Sequence, residues 1–504
     1  MNECLLSIDN GLTAVKAVLF ALDGREIHAV SAPTPLQTGH GLSEVDLAGL
    51  WQLTAGLIRS VIRTAGIDPA AIIGVGNSGH GGGLYLVDSR RQPVRPAITS
   101  MDARALPLLA AWRAEGIGSG DILHQELWGG QAIPLLAWLR QYEPESLQRT
   151  AWILSAKDWI IECLTGQPGL EASDASNSGL INPRTRQVAA DLLAHFGLAD
   201  CTGKIPPIRS STGLAGRITP EAARATGLAA GTPVAGGAFD CAACALGSGI
   251  IRRNGYSLIA GTWNINGSID PFLHPMAGAT KCSLFPDGRH YFYVESSATS
   301  AVNLEWFIRG VLRQTNADAS DDRQLYTRIN ALVAAVRPEE NDLVYLPFLY
   351  PAGLVNHLPG AGWLNLRPEH TLQHLLAAVY EGVAFAHRLH LERLRTAGIS
   401  RAAAVLTGGA SNSEVWCRIF ANILDLPVET VESAQTGALG AAMCAAVATG
   451  RCADLDSATR QMVRQRAEYQ PEPAMRPVYE RKYQVFQRII RQLDQPIYEQ
   501  EVIV

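Results

Sequence analysis

The chain has 504 residues, 47% of them apolar and 18% charged, with a formal net charge of -5. This is the profile of a soluble globular enzyme of two large domains or three smaller ones, and with no basic cluster it excludes a nucleic-acid binder. No apolar run of membrane-spanning length occurs, and Asp9 interrupts the N-terminal apolar stretch, so neither a membrane span nor a signal peptide is expected. Nine scattered cysteines fit a reduced, cytoplasmic protein. Cys241 and Cys244 read as buried thiols one helical turn apart, since no second pair at zinc spacing accompanies them.

In chain order, Cys4–Ile8 and Ala14–Phe20 flank Asp9-Asn10-Gly11-Leu12-Thr13 and predict a strand–turn–strand unit, with a third strand at Ile27–Ser31. Asp46–Gly66 has apolar residues at helical spacing. Gly74, Gly76 and Gly79 then spell the G-x-G-x-x-G of dinucleotide binding. The run that follows, Leu84–Ser89, is short and β-prone, so the helix a pyrophosphate needs is missing and that reading is set aside. The glycines around His80 instead let a ligand approach the backbone closely.

Helices are predicted at Ile133–Tyr142, Lys157–Leu164 and Val188–Phe196, and after the cap pair Thr219-Pro220. Gly231–Asp240 reads as a buried strand running into a glycine turn and an aspartate, and Tyr256–Ser268 as a second strand–turn–strand unit. Further helices follow at Leu372–Leu394, Glu414–Leu424, Ala438–Thr449 and Val478–Leu493, the last with Tyr479, Tyr483, Phe486, Ile489 and Ile490 as a packing stripe. The main boundary falls near Gly247–Gly255.

A tight glycine turn between strands aims several backbone N–H groups at one point, which makes an anion nest. The first such turn adds the Thr13 hydroxyl, the Lys16 cation and the Asp9 carboxylate, which suits Mg²⁺. The second is Gly261-Thr262-Trp263, with the Thr262 hydroxyl. Singly, each is an ordinary hairpin; as a pair at matching places in two halves, they suggest a nucleotide clamped between lobes.

These features resemble the FGGY carbohydrate kinases of the sugar kinase–actin–heat-shock ATPase superfamily, over nearly the whole chain. The first phosphate turn matches at Asp9, Gly11, Thr13 and Lys16, "GLSEVD" at Gly41–Asp46 has leucine for the usual tryptophan, and "MDAR" matches at Asp102 and Arg104. Lys157 and Asp158 match a K-D helix, Asp240 ends the segment of the catalytic aspartate, and "AGTW" matches the second phosphate turn. Gly408, Gly409, Ala410 and Trp416 match the adenosine segment, with Asn412 beside them, and "TGALGAAMCA" the closing helix.

The resemblance implies an α/β chain of two RNase H-like domains with a central cleft: a sugar-binding domain at 1–248 and an ATP-binding domain at 249–504. It implies transfer of the γ-phosphoryl group of Mg-ATP to a sugar hydroxyl. Asp240 would be the general base; Gly11, Thr13, Lys16, Gly261, Thr262, Gly408, Gly409, Ala410 and Asn412 would hold ATP. Gly79, His80, Asp102, Arg104 and Asp240 would meet the sugar, and Asp9 with Asp240 the magnesium. Locally, Asp240 also reads as a helix cap, and Asp102 with Arg104 as a salt bridge at the cleft rim.

"GTW", "NLEWF" and the absence of a G-E-R stretch at Tyr350-Pro351-Ala352-Gly353 are most similar to the L-xylulose and xylulose kinase branch, which also handles keto-sugar acids. Asn365 stands where the family's turn ends in glycine; asparagine tolerates positive φ, so the turn can survive. The expected partners are the sugar and ATP, with a homodimer left open and neither nucleic acid nor membrane. The alternatives are a non-catalytic sugar sensor on the same fold, or a kinase of another polyol such as D-xylulose, ribulose or glycerol.

Overall fold

The computed structural model describes residues 3–275, 280–313, 322–350 and 360–493. The chain forms two compact units that interleave in sequence. The first comprises the chain up to Arg253 with Ser268–Tyr293 and Gln435–Arg464; the second comprises Asn254–Gly267, Val294–Ala434 and the chain from Gln465 on.

The first unit opens with β1 (Cys4–Asn10), β2 (Ala14–Ala21) and β3 (Glu26–Pro33), an antiparallel meander in which Asp9 faces Lys16. Helix α1 (Leu47–Ala65) starts where the Asp46 carboxylate accepts from the Gly49 N–H and ends at Gly66 in the left-handed region, φ 63°. β4 (Ile72–Gly79) runs parallel to β1, with Asp9 beside Ser78 and Asn10 beside Gly79. A strand at Tyr85–Val87 follows the glycine loop, as expected.

Next come α2 (Ala156–Thr165), the short α3 (Ala172–Asn177), β5 (Pro233–Ala235) and α4 (Asp240–Gly247). The sheet runs β5–β4–β1–β2–β3, and Phe239 pairs beside Gly79 on β4. Leu6, Ile8, Leu19 and Val75 of this sheet share a core with Ile58 and Val61 of α1 and Ile160 and Leu164 of α2. Each side chain so buried contributes roughly 1.5–3 kcal/mol. The helix expected over Val188–Phe196 spans only Ala190–His195, because Val188 bridges to Ile181 instead.

In the second unit, β6 (Tyr256–Ala260) and β7 (Asn264–Asp270, whose last three residues fall in the first unit) form the second antiparallel hairpin. β8 (Tyr291–Ser297), α5 (Leu372–Thr396), β9 (Ala404–Thr407), α6 (Glu414–Leu424) and β10 (Val428–Val431) follow. The strand order β8–β7–β6–β9–β10 repeats the first unit's pattern, with β6–β9 and β9–β10 parallel. Asn365 adopts φ 66°, so the turn written without its glycine keeps the left-handed bend. Pro351, Ala352 and Gly353, where the missing G-E-R stretch was noted, lie outside the described residues.

The chain then returns to the first unit with α7 (Thr436–Ala448). Close approach seats it: a Cβ on Gly76 of β4 would lie 2.0 Å from the Ala441 carbonyl oxygen, and the Ser7 hydroxyl donates to the Ala438 carbonyl at 2.7 Å. The final helix α8 (Arg476–Leu493), in the second unit, buries Tyr479, Tyr483, Phe486 and Ile490, the expected stripe with Ile489 at its half-buried edge.

Candidate active site

Register alone gathers the first group of side chains. Asp9 stands at the end of β1, His80 directly follows β4, and Asp240 directly follows Phe239, the partner of Gly79. All three therefore leave the carboxyl ends of neighbouring strands, where ligands bind in sheets of this kind.

The Asp9 carboxylate accepts from the Ser78 hydroxyl at 2.8 Å. Lys16 donates to the Gln435 amide oxygen at 3.1 Å, Thr13 is exposed in the turn, and Gly11 bends so tightly that a Cβ would lie 2.8 Å from the Ala14 carbonyl oxygen. Asp240 is the first residue of α4 rather than its cap, with one carboxylate oxygen accepting from the Cys241 N–H at 2.7 Å. Burial and then the nearby Asp9 charge push its carboxyl up to about 7, against the pull of the Cys241 hydrogen bond. A general base is most useful with a pKa near the working pH.

His80 has its Nε2 2.7 Å from the Tyr85 hydroxyl and its Nδ1 3.3 Å from the Ser100 hydroxyl. Burial lowers its pKa to about 4, so the ring is neutral. Its loop is walled in: a Cβ on Gly81 would meet the Asn177 amide nitrogen at 2.5 Å and the Phe239 ring at 3.1 Å, and one on Gly82 the Trp128 ring at 2.8 Å. The Lys281 ammonium stands 4.4 Å from the centre of that Trp128 ring.

Asp102 and Arg104 are bonded to one another, Nε to carboxylate at 2.7 Å, and Arg104 also reaches Glu44 at 2.5 Å. The second Asp102 oxygen accepts from the Ser43 N–H at 2.7 Å. This pair ties the Gly41–Asp46 and Asp102 segments together.

Beneath the loop lies a charge cluster that sequence reading reached only in part. The Lys157 ammonium, fully buried, meets Asp158 at 2.9 Å, Asp174 at 3.3 Å and Glu171 at 3.4 Å. Burial alone would lower the lysine's pKa, but the three carboxylates outweigh it and raise it. Glu171 caps α3 and accepts from the Ser173 and Ser211 hydroxyls, while Ser173 in turn accepts from the Phe239 N–H at 3.2 Å. The backbone immediately before Asp240 is thus anchored to this cluster. The K-D match flagged Lys157; nothing local marked Glu171 or Asp174.

The second unit carries the rest. Thr262 is exposed in the β6–β7 turn, beside Gly261 and Trp263, and Gly408 (φ 82°) with Gly409, Ala410 and Asn412 forms the short 3₁₀ turn after β9. A cavity of about 320 Å³ opens beside Gly409 and Asn412, between Leu304, Glu305, Tyr326, Asn330, Tyr380 and Trp416. Tyr380 and Trp416 stack at 4.1 Å, and the Asn330 amide oxygen accepts from the Tyr380 and Ser413 hydroxyls at 2.9 and 2.7 Å. Its size and flat apolar wall suit a purine base. Asn330 and Tyr326 were not singled out in the sequence, since nothing but helical spacing marks their segment.

Among the described residues no group of three or more histidine, cysteine, aspartate or glutamate side chains could by itself cage a metal ion. Magnesium does not require one: it commonly takes one or two carboxylates and completes its shell with phosphates and water. The donor set of Asp9 and Asp240 fits that habit. No helix among the described residues is long and apolar enough to cross a membrane.

Two sheets of one strand order, one ending in adjacent carboxylates and the other beside a base-sized cavity, define a phosphotransferase of the RNase H-like class. The N-terminal domain model of the FGGY family of carbohydrate kinases matches residues 4–247, and its C-terminal domain model residues 257–449. The chain belongs to the FGGY family of carbohydrate kinases, enzymes that use ATP as phosphate donor. It is 33% identical over 501 residues to the L-xylulose/3-keto-L-gulonate kinase of Escherichia coli K12, covering 98% of each protein. It is also 33% identical to a probable L-xylulose kinase of Pasteurella multocida, covering 96% of this chain and 98% of that one. A solved xylulose kinase from Rhodospirillum rubrum superposes with a TM-score of 0.86 at 27% identity, covering 97% and 99% of the two chains.

Proposed function

We propose that this carbohydrate kinase transfers the γ-phosphoryl group of ATP to a hydroxyl of a ketopentose, L-xylulose first, or of a related keto-sugar acid. The observation that carries the mechanism is Asp240: a carboxyl held near pKa 7, at the first turn of a helix, beside Asp9 and within reach of the His80 loop. Asp240 accepts the proton of the attacking hydroxyl. The sugar lies against Gly79 and His80, with Asp102 and Arg104 shaping that side.

Gly11, Thr13 and Lys16 on one hairpin, and Gly261 and Thr262 on the other, hold the phosphates; Gly408, Gly409, Ala410 and Asn412 hold the adenosine. Asp9, with Asp240, holds the magnesium, which when bound would neutralise charge on the transferring phosphate. In this reading 1–248 supplies most of the sugar side and 249–504 most of the nucleotide side, although Ser268–Tyr293 and Gln435–Arg464 belong to the first unit, in a cytoplasmic enzyme that can act as a homodimer.

The substrate assignment is supported by the similarity to an L-xylulose/3-keto-L-gulonate kinase and to two probable L-xylulose kinases. Lys281 beside the loop supplies a cation suited to a sugar acid's carboxylate. The test is sugar-dependent ADP release with L-xylulose, 3-keto-L-gulonate, D-xylulose, L-ribulose and glycerol. The expected order of kcat/KM places L-xylulose or 3-keto-L-gulonate first. A clear preference for glycerol or D-xylulose would overturn the substrate; no release with any sugar would favour the non-catalytic sensor.

A further inference from the structure

We infer that His387 is a positioning residue for the turn Gly261-Thr262-Trp263, tying Thr262 within the turn and Asn264 just after it to helix α5 through one continuous chain of hydrogen bonds. The inference rests on the reading of this turn as a phosphate site.

The chain can be followed atom by atom. The Ser300 N–H donates to the Thr262 carbonyl at 3.1 Å, on the turn itself. The Ser300 hydroxyl lies 3.0 Å from His387 Nε2, and His387 Nδ1 lies 2.7 Å from the Asn266 amide oxygen. The Asn266 amide nitrogen donates to the Asn264 side-chain oxygen at 2.6 Å, and Asn264 is the first residue of β7 after the turn, paired with Ala260. Asn264, Asn266, Ser300 and His387 are all essentially without solvent exposure.

With the Asn266 amide nitrogen donating to Asn264, a neutral ring satisfies every link in one way: Nδ1–H donates to Asn266 and Nε2 accepts from Ser300. A protonated ring would present a donor at both nitrogens. Burial, and secondarily His390, keep the ring neutral by lowering its pKa well below the ordinary range. The ring plane is fixed by an edge contact with Phe420, centres 5.1 Å apart at 71°. A turn that must hold donors against a phosphate loses function when displaced by an ångström, whereas a core does not. Among the described residues His387 is the side chain that joins Ser300 to Asn266, and its position between two neutral polar partners gives it a preferred orientation.

The test uses the full-length protein and the variants His387→Phe, which fills the space without hydrogen bonds, and Ser300→Ala, which breaks one link. Dissociation constants for ADP and for the sugar are measured by calorimetry, and kcat with KM for each substrate by ADP release. His387→Phe is expected to lower kcat and weaken ADP binding by ~10-fold to ~100-fold, with sugar affinity within about twofold of wild type. Ser300→Ala should shift the same quantities less, and the double variant should be no worse than His387→Phe.

Wild-type ADP affinity and kcat in a folded His387→Phe would overturn the proposal, as would equal losses for sugar and nucleotide together with a lowered melting temperature. If His387→Phe does not fold, Ser300→Ala decides alone: a nucleotide-only loss supports the proposal and wild-type behaviour ends it. Failure of the wild-type protein to bind ADP would instead sink the phosphate reading of the turn, and is told apart because no substitution is involved.

Discussion

The two units reach the same strand order but hold their functional turns by opposite means. In the first, the segment leading to Asp240 is anchored to a buried cluster of one ammonium and three carboxylates. In the second, Thr262 is anchored by neutral groups only, two amides, a hydroxyl and an uncharged imidazole. A buried ion cluster is costly to desolvate and holds only while every member is present. A neutral chain is indifferent to pH and fails link by link. The proposed base therefore sits in a strong, charge-sensitive field, while the hydrogen bonds that hold the Gly261-Thr262-Trp263 turn join neutral groups.

Removing the proposed base gives the largest expected effect. Asp240→Asn should lower kcat by about 10²-fold to 10⁴-fold. The same variant should be more stable than wild type above neutrality. The native carboxyl, with its pKa near 7, keeps a proton that the unfolded chain, near 3.8, has already released. Between those values the folded state binds more protons, so wild-type stability falls as pH rises through that window. Asparagine removes the dependence. Melting curves at pH 5 and pH 8 should diverge accordingly, and a melting temperature for Asp240→Asn below wild type at pH 8 would contradict the charge-strained picture.

Lys157→Met comes next, and it tests the cluster itself. It strands Asp158, Glu171 and Asp174 without their cation, which should cost about 3–5 kcal/mol of stability. Denaturant unfolding should show the loss as a lowered midpoint. A near-wild-type curve would show that the cluster is not holding the segment before Asp240.

The pH profile separates the two anchoring schemes without mutation. As Asp240 protonates, kcat/KM for the sugar should fall about tenfold from pH 8 to pH 6, while ADP affinity measured without magnesium should change only as the nucleotide's own terminal phosphate titrates, because His387 does not titrate there. A flat rate profile would remove Asp240 as base, and a fall in ADP affinity beyond that of the nucleotide's own ionisation would make the second turn charge-sensitive.

What the sequence made legible follows the same division. Local signals were sufficient for β1–β2, for α1 between Asp46 and Gly66, for the strand after the glycine loop and for the left-handed Asn365. Each is decided by residues within one turn of one another. The return of α7 to the first unit was not legible, because the small residues that seat it against Gly76 lie hundreds of positions away. Nor was the chain through His387, which unites residues from three distant segments; helical spacing says only that a residue is inside, not which polar atoms it must satisfy. Glu171, Asp174 and Asn330 were invisible for that reason too.

The smallest expected effect asks whether charge in the first unit also selects the substrate. Lys281 stands over Trp128, whose ring closes the wall of the glycine loop at Gly82, so its ammonium lies beside the loop proposed to meet the sugar. A half-buried ion pair contributes about 1 kcal/mol, close to fivefold in relative kcat/KM. Lys281→Met should therefore reduce the ratio of 3-keto-L-gulonate to L-xylulose turnover by about that factor, through KM, while leaving ADP affinity unchanged. Because the neutral ketopentose offers hydroxyls in place of a carboxylate, its own KM should move little. An equal loss on both sugars would make Lys281 a support for the loop rather than a reader of charge. Selection would then fall to the shape of the wall formed by Trp128, Asn177 and Phe239.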